Sequence, residues 1–239
     1  MNVLVVDDHP LIRAGIGTAI KPVQGRNGVR NCASLKQALH VVRRSEEPKT
    51  VFLDLGLPDS RGLVGLLQLR LALPNASIVV ISGQEHPDLR KFAFLLGAKG
   101  FVKKAWELEL INNTLVYFAG PETHDANGSK STIDTRIAPA FPPKNAKTLT
   151  PRELDVLHLM CDGLSNISIS KRLGVTEPTI KRHINRIFDK GDVRSRTQLV
   201  QAVTRSYRGL SASDTLPQIP KRTRTSHHRA LDHATGSAA

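Results

Sequence analysis

Four short apolar runs, each stopped by a polar residue, constrain this chain more than any other feature. They are Asn2-Val-Leu-Val-Val6, Thr50-Val-Phe-Leu53, Ser77-Ile-Val-Val-Ile81 and Gly100-Phe-Val102. Asp7 and Asp8, Asp54, Ser82 and Lys104 stand at or just past their carboxyl ends. Runs so short, rich in Val and Ile and separated by helical patterns, read as parallel strands buried on both faces. Helical spacing is carried by Leu11, Ile12, Ile16, Ala19 and Ile20, and by Leu35, Ala38, Leu39 and Val42 behind Ser34 as N-cap. It returns at Leu63, Leu66, Leu67 and Leu71, at Leu89 to Leu96, and at Trp106 to Phe118, which Gly120-Pro121 ends. Val29 to Ala33 is a weaker strand. Five strands alternating with five helices predict a doubly wound, five-stranded parallel α/β domain over residues 1–119.

In such a sheet the polar site gathers where the strands end, and the first and third strands are neighbours at the topological switch point. Asp7, Asp8 and Asp54 therefore converge. Clustered carboxylates repel one another unless a cation sits among them. A hard divalent ion with oxygen ligands fits, and magnesium suits a site that works on phosphate oxygens. Asp54 is then the candidate nucleophile, because a carboxylate can form an acyl-phosphate. Ser82 would hydrogen-bond a phosphoryl oxygen and Lys104 would neutralise its charge. Any one of these acids could instead cap a following helix, Asp8 before His9-Pro10 above all. Five fitting residue types over four strand ends favour the site.

The rhythm breaks at residues 120–147, where Gly, Pro, Ser, Asn and Thr are frequent and nothing is periodic; this stretch predicts a flexible linker. Residues 148–208 read as helices throughout, a small all-α four-helix domain. The remaining 209–239 are polar, with a basic patch at Lys221-Arg-Thr-Arg224, and predict a disordered tail. The net charge of +13 points to a polyanionic partner. It is densest in the helical segment, where residues 148–210 hold 11 Lys/Arg against 6 Asp/Glu. No apolar stretch reaches the roughly 18 residues of a membrane span. Cys32 and Cys161 lie far apart in apolar contexts and read as reduced thiols of a cytoplasmic protein.

Within the helical segment, Thr150-Pro-Arg-Glu153 has the Thr cap, early Pro and third-position Glu of a helix start. That helix ends at Gly163, a second covers Asn166 to Leu173, and Gly174-Val175 turns into a third opened by Thr176 and running to about Lys190. Two helices joined by a short Gly turn make a helix-turn-helix. On the third helix Ile180, Ile184, Ile187 and Phe188 form the buried stripe, leaving Lys181, Arg182, Asn185 and Arg186 on the other faces. Cations and an amide near a helix start suit the major groove of DNA.

These motifs resemble two known families. Val5-Val-Asp-Asp-His-Pro10, Leu53-Asp-Leu-Gly-Leu-Pro-Asp59 with Gly62, Ile81-Ser82-Gly83 and Gly97-Ala-Lys-Gly-Phe-Val-Lys-Lys104 are similar to the receiver domain of two-component response regulators, a flavodoxin-like fold. The resemblance implies that Asp54 accepts phosphate from a histidine kinase. It also implies that Asp7, Asp8, Asp54 and the Gly56 carbonyl hold Mg2+, and that Ser82 and Phe101 are switch residues. Lys104, four residues past Gly100, takes the place of the family lysine. Leu149-Thr-Pro-Arg-Glu153, Gly163-Leu-Ser-Asn166, Thr179-Ile-Lys-Arg-His183, Lys190 and Arg196-Thr-Gln198 resemble the LuxR/NarL-type DNA-binding domain. By that likeness Lys181, Arg182 and Asn185 face bases, while Thr179, His183 and Lys190 lie nearer the backbone or pack the helix. Three positions depart from the families: Ala105 after the lysine, Ile167-Ser-Ile-Ser170, and Gly191 where leucine is usual.

The expected function is a DNA-binding response regulator rather than an enzyme. Phosphorylation would free the helix-turn-helix domain or form a homodimer. Two alternatives are a phosphorylation-independent DNA-binding regulator with a dimerising receiver, and an aspartyl-phosphate phosphatase. Gly56 stands where the phosphatase would carry its second Asp.

Overall fold

The computed structural model describes residues 2–24, 28–84, 86–106, 108–120 and 137–205. The tail expected from residue 209 lies outside them. Strands β1 (Val3–Val6), β2 (Val29–Cys32), β3 (Thr50–Asp54), β4 (Ser77–Ser82) and β5 (Gly100–Lys103) form one parallel sheet in the order β2-β1-β3-β4-β5. They alternate with α1 (Pro10–Gln24), α2 (Leu35–Arg44), α3 (Val64–Ala72), α4 (Pro87–Leu95) and α5 (Leu108–Ala119). The doubly wound sheet expected from the alternation is therefore present. β2, the weaker pattern, is an edge strand with Arg30 and Asn31 exposed.

Because side chains alternate across a strand, each central strand serves two cores. Val3, Val5, Phe52, Val79, Ile81 and Val102 face α1 and α5. Leu4, Val6, Val51, Leu53, Ile78, Val80 and Phe101 face the opposite layer. Both faces are buried, which is why the runs are continuously apolar rather than alternating.

The C-terminal helices are α6 (Pro151–Cys161), α7 (Asn166–Leu173), α8 (Glu177–Gly191) and α9 (Arg196–Thr204). Their starts obey local chemistry. Thr150 and Glu153 complete a reciprocal capping box on α6, and Ser165 and Ser195 cap α7 and α9. Gly174 turns α7 into α8 with φ of 65°. Thr176 departs from expectation: its hydroxyl pairs with that of Thr179 at 2.9 Å and caps no backbone N–H.

Tertiary contacts correct the linker at its second half. Ile137 and Ala140 are buried, and a short 3-10 turn at Ala138–Ala140 packs beside β5. Phe141 stacks with Tyr117 and Phe118 of α5, with ring centroids 5.1 Å apart in both pairs. Aromatic burial of this kind stabilises an otherwise patternless segment. Residues 121–136 of the expected linker lie outside the described residues.

The two domains dock on each other. Phe92 and Leu95 of α4 belong to the same apolar cluster as Ile187, Leu199 and Val203 of α8 and α9. Backbone hydrogen bonds cross the junction from Leu63 N–H to the Val203 carbonyl (2.7 Å) and from Leu149 N–H to the Leu95 carbonyl (2.9 Å). Gly191 explains itself here. A Cβ at that position would lie 3.3 Å from the Leu95 side chain and 3.4 Å from the Phe92 ring, so a leucine fits only if those side chains give way. The glycine that departs from the family leucine is one point of close approach between the domains, and Gly62, where a Cβ would lie 2.6 Å from the Val203 carbonyl, is another.

Gly191→Leu is therefore expected to separate the domains while each stays folded. Amide exchange in α4 should become at least roughly tenfold faster, with unchanged far-UV circular dichroism. Protection equal to wild type would show that the close approach is not required.

Candidate functional site

The site follows from strand register. β1 pairs with β3 so that Val6 lies beside Leu53, which brings the next residues, Asp7 and Asp54, level with each other. β4 adds Ser82 one residue beyond the partner of Asp54, and β5 adds Lys104 one residue beyond the partner of Ser82. Asp7 is 1% exposed and Asp54 4%. Lys104 Nζ donates to Asp7 Oδ2 and to Asp54 Oδ2, both at 2.9 Å. Burial by itself would push the Lys104 pKa down. Hydrogen bonds from the ammonium to Asp7 and Asp54, and their charges, outweigh it and leave the pKa raised, so the lysine stays cationic. All five polar residues singled out at the strand ends thus lie along one rim of the sheet.

Two further residues enter the site that spacing did not assign. The His9 backbone N–H donates to Asp7 Oδ1 at 2.8 Å, and its ring Nδ1 lies 2.8 Å from Asp8 Oδ1. Asp7, Asp8, His9 and Asp54 each offer a ligand atom within 4.8 Å of the others. Three carboxylates crowded this closely repel one another, an arrangement that a cation would relieve. Asp59 acts at a distance. Its two oxygens accept from the backbone N–H groups of Leu35 (3.0 Å) and Lys36 (2.9 Å), capping α2 from the loop that follows Asp54. That pins the loop carrying Gly56, whose own N–H donates to Asp54 Oδ1 at 3.1 Å.

Ser82 and Phe101, the expected switch positions, are both buried. Ser82 Oγ accepts from the Gln84 N–H at 3.0 Å, and Phe101 is packed into the cluster that α4 shares with the C-terminal domain. His86, also buried, caps α4 by accepting from the Asp88 N–H at 3.2 Å.

On α8, Lys181, Arg182, Asn185 and Arg186 are exposed on the surface. Glu177 pairs with Lys181 at 2.9 Å, one turn along the helix. His183 is half-buried, with Nδ1 unpartnered. Burial, and then the neighbouring Arg182, lower its pKa, so it is neutral at pH 7. Lys190 sits differently. Its ammonium meets the buried Glu153 at 2.7 Å and the Thr148 carbonyl at 3.0 Å, which is the packing role. The Cys161 thiol is pushed up to about 12 by burial and by Asp162, so it stays protonated.

Burial alone would raise the Glu153 pKa, but hydrogen bonds from Lys190 and the Thr150 backbone, with the Lys190 charge, lower it. A depressed carboxyl pKa adds stability above the unfolded-state value and loses it as pH falls through the folded value. Glu153→Gln is expected to cost roughly 1–3 kcal/mol at neutral pH. The gap from wild type should close as pH drops below about 4. Urea unfolding at several pH values tests this, and a pH-independent gap would contradict it.

Comparison with known proteins identifies both domains. Residues 3–115 match the response regulator receiver domain, and residues 147–203 match the bacterial regulatory proteins of the luxR family. The chain is 30% identical over 206 residues to the glycerol metabolism activator of Pseudomonas putida, covering 83% of this chain and 93% of that one. It is 31% identical over 199 residues to the nitrate/nitrite response regulator protein NarL of Escherichia coli K12, covering 82% and 92%. RcsB from Salmonella enterica serovar Typhimurium bound to promoter rprA aligns at 20% identity over 84% of this chain and 98% of that one. Its TM-score of 0.43 is too low for domain placement to be carried across. The chain belongs to the LuxR/NarL family of two-component response regulators, a receiver domain joined to a LuxR-type helix-turn-helix, and is a DNA-binding transcription regulator.

Proposed function

We propose that Asp54 accepts a phosphoryl group from a histidine kinase and that this event controls the docked helix-turn-helix domain. An Asp54 oxygen would attack phosphorus as the kinase imidazole leaves. Asp7, Asp8, Asp54 and the Gly56 carbonyl would hold Mg2+, and the crowding of the three carboxylates at one rim of the sheet supports that fit. When bound, the ion supplies charge neutralisation for the phosphoryl oxygens. Lys104, already paired with Asp54, would meet the added charge with an ammonium in place. Catalysis of this kind needs only positioning and electrostatics.

The observation that carries the reading is the continuous apolar core running from Phe101 beneath α4 to α8 and α9. Ser82 would give up its bond to Gln84 to meet the phosphoryl group. Any resulting shift of Phe101 bears on α4 and so on the docked domain. Release would let two copies set two recognition helices on paired half-sites, which makes a homodimer the expected DNA-bound form. Lys181, Arg182 and Asn185 would read bases, with Thr179 and His183 nearer the backbone. A second reading, phosphorylation-independent binding, is favoured by one observation: the base-reading side chains are exposed even in the docked arrangement.

Incubation with acetyl phosphate and magnesium should give a phosphate-sized mass gain in wild type and none in Asp54→Asn. The phosphorylated protein should bind its operator more tightly. Equal operator binding by wild type and Asp54→Asn under these conditions would favour the second reading. Asp8→Asn should weaken Mg2+ binding roughly tenfold or more, since even outer partners of metal ligands carry that much. Fluorescence of Trp106, the only tryptophan and two residues past Lys104, provides the readout. Undiminished affinity in Asp8→Asn would remove that residue from the metal site.

A further inference from the structure

The docked domains enclose a cleft of about 610 Å³ that neither the phosphate site nor the base-reading face uses. It lies within the size range of small-molecule sites. α4 supplies one wall, the ordered linker around Pro143 and Lys147 a second, and the end of α8 the third. The floor is apolar, with Phe94 and Leu95 buried beneath it.

The charges around the cleft are unevenly matched. Lys91 faces Asp192 at 3.6 Å, and Lys190 is committed to Glu153. The half-buried Arg90 lies over the Phe94 ring, 5.5 Å from its centroid. Among the described residues no carboxylate pairs with its guanidinium and no carbonyl accepts from it. Burial also lowers its pKa, the mark of a partly dehydrated cation. Lys147 adds a second cation on the linker, against Asp189 on the α8 side. A fork of donors held on an aromatic shelf is a ready partner for a flat anionic group.

We propose that this cleft binds a small organic anion, its carboxylate or sulfonate paired with Arg90 and its flat apolar body laid against Phe94, Leu95 and Pro143. Walls from both domains would meet one ligand, so occupancy favours the docked arrangement. That this would hold down DNA binding rests on the release reading above. Binding itself does not.

The test is a titration of the full chain with 8-anilinonaphthalene-1-sulfonate, an aromatic sulfonate whose fluorescence rises on binding, with benzoate and inorganic phosphate as competitors. One dye per chain is expected, displaced by benzoate and not by phosphate. Arg90→Gln should weaken it roughly tenfold or more, as loss of a charge-assisted pair does. Arg90→Lys should fall between the two, and Arg43→Gln, on exposed α2, should match wild type. Unfolding midpoints of each variant separate lost binding from lost fold, and Arg90→Lys decides if Arg90→Gln does not fold. Wild-type affinity in Arg90→Gln, or in Arg90→Lys where that variant has to decide, overturns the proposal. So does displacement by phosphate as readily as by benzoate, joined to a shallower salt dependence of DNA binding in Arg90→Gln; that result would assign the cleft to DNA backbone. The titration uses neither phosphoryl transfer nor an operator, so its failure and that of the phosphorylation reading are distinguishable.

Discussion

Asp7 and Asp54 stand side by side almost wholly removed from water, and that placement governs the rest of the receiver. Two like charges about 4 Å apart in a protein interior repel by on the order of 4 kcal/mol at an effective dielectric of 20. Lys104 answers both with one ammonium, reaching each carboxylate at 2.9 Å from across the sheet. The pairing ties β5 to β1 and β3 at their carboxyl ends, the end where polar side chains can gather in a parallel sheet. With Asp8 beside them, the pocket sets three carboxylates against the one Lys104 ammonium and keeps an excess of negative charge suited to a cation.

From that pocket the chain builds outward through short polar supports and one long apolar path. Asp59 pins the loop after Asp54 to α2, and His86 fixes the start of α4. Phe101, beneath α4, belongs to the cluster that continues into α8 and α9, so the receiver and the DNA-binding domain share a core. Each fully buried Phe or Leu in such a core contributes roughly 1.5–3 kcal/mol, so few contacts are needed to hold the domains together and few to be lost for release. The recognition face stays exposed in the docked arrangement, so the domain contact does not cover the residues proposed to read bases.

The departures from family pattern differ in meaning. Ala105 leaves the Lys104 ion pairs intact, and Ile169 in the altered α7 stretch is fully buried in the helical core. Gly191, by contrast, lies against Leu95 and Phe92 of α4, where a larger residue needs those side chains to give way. Lys190, one residue earlier, is held by the Glu153 capping box, so the end of α8 is braced by an ion pair as it passes the receiver.

Much of this was legible in the sequence. Strand runs, helix caps and the residues just past the strand ends each report their own local environment, and periodicity reads such environments directly. The residues that converge at the strand ends could be named because parallel strands must place their ends together, and the exposed cations of α8 because they lie off its apolar stripe. What spacing could not show were pairings between distant segments that share no period. Asp59 caps a helix that begins 24 residues earlier in the chain. Lys190 meets an acid 37 residues away, and Phe141 finds the rings of α5. Residues 137–147 looked like linker because their order comes from the surface beneath them, not from their own pattern. The sequence by itself determined the two folds and which side chains gather at the strand ends, since both rest on local patterning and on strand topology. Only the tertiary structure decided that the domains dock, that Gly191 packs against α4 and that Arg90 borders a cleft, because a surface becomes an interface only when a second surface meets it.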